Sequence, residues 1–157
     1  MRFLIPFLSA ILFFLPAFAG DDLIARDGWS VVQTRKTFSA LVNDTRTAVK
    51  ANGMIVVTQA GPTAAAKKRG ITIPGNRIIG VFNNDYAVKT LATSTAAMIE
   101  APIRLYVTEN EDGTAALSYK TPTAVFASYA NEGGAALAAI AAELDQLFAK
   151  IAANAST

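Results

Sequence analysis

The apolar pattern predicts an α+β domain, with helices gathered on one face of a mostly antiparallel sheet. Three observations carry this. Residues 38–52 and 132–152 place apolar side chains at helical spacing. Several apolar runs of strand length lie between them. Asn110-Glu111-Asp112-Gly113 reads as a hairpin loop, which makes at least one strand pair antiparallel. Mixed connections of this kind segregate the helices to one side of the sheet.

The chain starts with Met1-Arg2, an uncharged run from Phe3 to Phe18, and Ala17-Phe18-Ala19 before Gly20. A basic start, an apolar stretch and a small-x-small site predict a signal peptide over 1–19, cleaved after Ala19. A membrane anchor would need about 20 apolar residues, and Pro6 and Pro16 interrupt this run. The expectation is a periplasmic or secreted protein with no stable membrane anchor after cleavage.

A lead-in (20–28) precedes one domain over 29–153. Trp29 to Thr34 reads as the first strand. Thr37 caps a helix from Phe38 to about Asn52, and Gly53 marks its stop. Phe38, Leu41, Val42, Thr45 and Val49 form its core stripe. Met54–Thr58 is the second strand, and Thr63–Arg69 a short helix closed by Gly70. Pro74-Gly75 signals a turn before the strand Arg77–Phe82. Asp85–Thr93 reads as another short helix, Ile103–Thr108 and Ala115–Lys120 as the hairpin strands, and Thr121-Pro122-Thr123 as a break. In the last helix Leu137, Ile140, Leu144, Leu147 and Ile151 form a seam of period 3.5, which suits packing on the sheet. The same seam would serve a homodimer contact.

Composition excludes much chemistry. The 157 residues contain no Cys and no His, which removes thiolate chemistry, Ser-His-Asp triads and histidine-held metals or haem. The net charge is +2, and loss of Arg2 with the leader lowers it by one. That balance offers no dedicated nucleic-acid surface. No cofactor or metal is expected.

The run KTFSALVNDTRTAVKANGMIVV resembles the opening of the bacterial "domain of unknown function 302" family, with Thr37-Phe38, Thr45 and Gly53 at the family's characteristic positions. RIIGVFNNDYAVKTL, Ala101-Pro102, and Tyr119 with Pro122 resemble its strand-turn, Pro step and Tyr-x-x-Pro element. The resemblance implies a two-layer β-α-β4-α fold like that of the TATA-binding protein, with the long C-terminal helix on one face. It implies no settled activity. Many members carry Asp-His where this chain has Gln59-Ala60, and Asn-Pro where it has Asn83-Asn84.

Four places could bind something. Glu109, Glu111 and Asp112 are better explained as a solvated acidic turn than as a Ca²⁺ loop. Lys67-Lys68-Arg69 suits a helix C-terminus. Tyr86, Tyr106, Tyr119, Phe126 and Tyr129 could line a pocket or fill core. At Asn83-Asn84-Asp85, Asn84 or Asp85 would cap a helix, and the free N–H groups could take a small anion. The candidate ligand-binding set is therefore Asn83, Asn84, Pro102 and Tyr119. The residues point to an exported, non-catalytic domain that binds a small molecule or anion. The alternative is an envelope interaction or dimerisation module using the C-terminal helix.

Overall fold

In this computed structural model, which describes residues 23–157, five strands form one antiparallel sheet in the order β1-β5-β4-β3-β2. The strands are β1 (Trp29–Gln33), β2 (Ile55–Ala60), β3 (Asn76–Phe82), β4 (Ile103–Glu109) and β5 (Ala115–Lys120). The helices are α1 (Phe38–Ala51), α2 (Thr63–Lys68), α3 (Asn84–Thr93), α4 (Pro122–Phe126) and α5 (Ala130–Ser156). This is the α+β, β-α-β4-α arrangement, with α2 and α3 as short insertions. The expected leader lies outside the described residues. Among the described residues no helix is long and apolar enough to cross a membrane.

Strands β1 and β2 occupy opposite edges of the sheet, so α1 has to cross the face between them. Its local sequence fixes both ends. The Thr37 side chain accepts from the Ala40 amide at 3.4 Å. At the other end Gly53 N–H donates to the Lys50 carbonyl and Met54 N–H to that of Val49, with Gly53 at φ 73°. Those two bonds make a Schellman stop, which requires the left-handed conformation that glycine adopts cheaply. Leu41, Thr45 and Val49 are buried on the sheet side. Thr45 is the polar member of that stripe, and its hydroxyl donates to the Leu41 carbonyl at 2.7 Å.

Helix α5 lies beside α1 on the same face and closes the core. Leu137, Ile140, Leu144 and Ile151 of the expected seam are buried there, whereas Leu147 is only half-buried. Phe148 takes the central place, fully buried against Tyr119 with ring centres 5.4 Å apart. Facing them are Ile79 and Val81 of β3, Leu105 and Val107 of β4, and Leu117 of β5.

Two local expectations are corrected. Pro122 does not break the chain after β5 but opens α4, with Thr121 as the cap accepting from the Ala124 amide at 3.3 Å. Proline suits the first turn because its missing N–H would have had no helical partner there. The last helix runs from Ala130 rather than Glu132, with a non-helical step at Gly134 (φ 52°).

Leu144 is 3 % exposed, so truncating it leaves a cavity in the shared core. Leu144→Ala is expected to cost about 2–5 kcal/mol in chemical denaturation. Because the seam packs inside one domain, the midpoint should not move with protein concentration. A concentration-dependent midpoint lost in Leu144→Ala would place the seam between two chains instead.

Candidate functional site

Strand pleating sends alternate residues away from α1 and α5. Pairing of Gly80 with Arg104, and of Trp29 with Lys120, builds a row across the far face of the sheet. The Leu105–Tyr119 pairing sets Arg104 opposite Lys120 within that row. The next row holds Ile78, Tyr106, Ser118 and Val31. At this end of the sheet the Ala97–Glu100 turn enters β4, and α4 leaves β5.

Between these parts lies a cavity of about 290 Å³. Trp29, Ile78, Arg104, Tyr106 and Lys120 line it from the far face. Glu100, Ile103, Tyr119 and Val125 line it around the end of the sheet. Its walls are mainly aromatic and aliphatic, with a few charged groups, which is how small-molecule sites are built.

The charges around it are unevenly matched. Lys120 Nζ lies 6.0 Å from the centre of the Trp29 ring, and Arg26 Cζ lies 5.3 Å from it. Among the described residues the ion pairs are Lys36–Asp44 and Lys89–Glu143, so neither Arg104 nor Lys120 meets a carboxylate. Glu100 is the acid in the wall, and its Oε1 accepts from the Tyr129 hydroxyl at 2.8 Å. That bond, reinforced by desolvation and by the charges of Glu100 and Glu132, pushes the Tyr129 pKa up. The amide of Asn76 donates to the Tyr106 hydroxyl and steadies that ring.

The four residues singled out in the sequence fall in two places. Asn83, rather than Asn84 or Asp85, caps α3: its Oδ1 accepts from the Asp85 and Tyr86 amides at 2.9 and 3.3 Å. Its Nδ2 donates to the Gly53 carbonyl at 3.0 Å, tying the cap to the end of α1. Asn84 is exposed in the first turn of α3. Asn83 borders a separate cavity of about 30 Å³ beneath α3, about the size for a single water. Pro102 follows a cis peptide, and its ring lies over Gly80, where an added Cβ would come within 2.9 Å of its Cγ. Tyr119 is 4 % exposed, with its ring against Phe148, and it borders the larger cavity. Pro102 and Tyr119 thus belong to the end of the sheet that holds that cavity, whereas Asn83 and Asn84 serve the start of α3.

Trp29, Arg104 and Lys120 were not singled out from the sequence. One signal for Arg104 was present: a charged residue inside the alternating run IRLYVT has to face away from the core. Two acids of the hairpin, Asp112 and Glu109, are committed to bonds within the fold. Asp112 accepts from the Thr114 amide at 2.9 Å and from its hydroxyl, which lowers the Asp112 pKa. Glu109 accepts from the Gly75 amide at 2.6 Å. Among the described residues no three metal-binding side chains converge.

The fold defines a small α+β domain with helices on one face and a cavity at the end of the other. A model of the family "Domain of unknown function DUF302" matches residues 30–155, and the chain belongs to that family. The chain is also similar in fold to a solved protein, described as an uncharacterized conserved protein DUF302 from Bacillus stearothermophilus. The TM-score is 0.72 at 20% sequence identity, covering 82% of this chain and 98% of that one. No curated protein matches the sequence.

Two tyrosines tie stability to alkaline pH. Tyr129 is held protonated chiefly by its bond to Glu100, and Tyr86 chiefly by burial and then by Glu143. Both pKa values are raised on folding, so their contribution is complete below the ordinary value of 10.0 and declines as pH rises through the folded values. The thermal midpoint should fall above that pH, and Tyr129→Phe should make the fall shallower. An identical alkaline profile in Tyr129→Phe would show that the Glu100 bond does not hold in solution.

Proposed function

We propose that this chain is an exported, non-catalytic bacterial domain that binds a small molecule in the cavity between Trp29, Arg104, Tyr106 and Lys120. The cavity carries this reading. Its apolar walls and few polar groups suit recognition, and a sheet backed by a full core holds them rigid. Its lining offers no nucleophile with an adjacent base, which favours binding over catalysis. The leader supports export, with the mature chain starting at Gly20. A dimer through α5 draws less support, because its apolar stripe packs within the domain.

Native mass spectrometry of protein purified from its own cell envelope tests both parts. The expected mass is that of the chain from Gly20, together with a population carrying one small ligand. Trp29→Ala should lose that population. An intact Met1 form held in the membrane would overturn export. A ligand retained equally by Trp29→Ala would move the site elsewhere.

A further inference from the structure

We propose that the cavity selects a small aromatic monocarboxylate, its carboxylate held between Arg104 and Lys120 and its ring against Trp29, Ile78 and Tyr106. This rests on reading the cavity as a ligand site.

Three features specify the class. Arg104 and Lys120 stand opposite one another on neighbouring strands, and among the described residues no carboxylate neutralises either. A ligand carboxylate placed between them gains charge-assisted hydrogen bonds from two donors, and a guanidinium can engage it with two parallel bonds. The apolar part of the wall comes next. Trp29 offers a flat ring beside the Lys120 and Arg26 cations that lie over it, and Ile78, 38 % exposed, adds an aliphatic surface that water covers poorly. A ring bearing a carboxylate satisfies both halves of the site, whereas an inorganic anion leaves the apolar half wet. Glu100 sets the third limit. It lines the same cavity with its own negative charge, so a second carboxylate on the ligand would be opposed. At about 290 Å³ the cavity has room for a molecule of one or two rings.

Trp29 is the chain's only tryptophan, so its fluorescence reports this site directly. The mature chain would be titrated with phenylacetate, with the neutral phenylacetamide and with the cationic phenethylamine. Phenylacetate should perturb the fluorescence saturably and bind about tenfold or more tighter than the amide. Arg104→Met and Lys120→Met should each erase most of that preference, whereas Arg46→Met on α1 should not. Arg104 and Lys120 are exposed, so the thermal midpoints should stay unchanged and exclude misfolding as the cause. Equal binding of acid and amide, or tighter binding of the amine, would overturn the monocarboxylate class and leave the ligand site standing. Failure of all three probes to perturb Trp29 would overturn the aromatic class, while a native mass spectrum with no retained ligand would overturn the site itself.

Discussion

The crossing of α1 is the constraint on which the rest of the structure depends. The first two strands sit on opposite edges of a five-stranded sheet, and only the chain between Thr34 and Met54 is available to connect them. A helix spans that distance with its backbone hydrogen bonds satisfied internally, while an irregular crossing would bury unpaired amides. Once α1 lies on the face, Leu41, Thr45 and Val49 are committed to it, and the remaining apolar area calls for a second helix alongside. Helix α5 supplies it. The Schellman stop at Gly53 matters for this reason: it turns the chain from the helix directly into the far edge strand.

That commitment gives the two faces of one sheet different chemistry. Odd-numbered positions of β4 and β5 (Leu105, Val107, Leu117 and Tyr119) are used up by the helices. Of the even-numbered ones, the small Ala116 and Ser118 are covered, while Arg104 and Lys120 are exposed and Tyr106 half-buried, each a residue that tolerates water at its tip. A one-residue slip of register would exchange the two sets, so the core that fixes the register also fixes the composition of the far face. Stability and the proposed binding surface are thus two readings of the same strand pairing.

Much of the fold was legible because its signals are local. Thr37, Gly53, the apolar stripe of α1 and the Asn110–Gly113 hairpin each act over a few residues, and each appears where the sequence put it. Pro122 was legible only as punctuation: the same residue ends one element and starts another, and its role depends on Thr121 finding the Ala124 amide. Phe148 escaped the seam because the 3.5-residue spacing points to Leu147, while an α-helix of about 3.6 residues per turn brings the neighbouring position round to the core. The cavity was the least legible part. It needs Trp29 beside Lys120 and Arg104 beside Gly80, and such pairings over long stretches of chain leave no mark in any window of sequence.

The contrast between the two strand ends shows where polar groups remain free for recognition. Both the start of α3 and the start of β4 are places where a strand meets a turn, and the sequence joined them into one candidate set, with the side-chain amides and helix N–H groups of the first as its polar part. There, however, the fold needs those amides. Asn83 bonds two helix N–H groups and the Gly53 carbonyl, so removing it would unfasten α3 from the end of α1. A ligand competing for that amide would have to break the cap, at a cost of about 1 kcal/mol before any gain. At the start of β4 the fold makes no such demand on Arg104 or Lys120. The backbone there is already paired in the sheet, and the side chains are exposed, with Lys120 lying over the Trp29 ring and neither residue in an ion pair among the described residues. Among the described residues neither charge meets a carboxylate, so an incoming anion would have no ion pair to break. That difference, rather than the number of polar residues at either place, puts the proposed site at the end of the sheet.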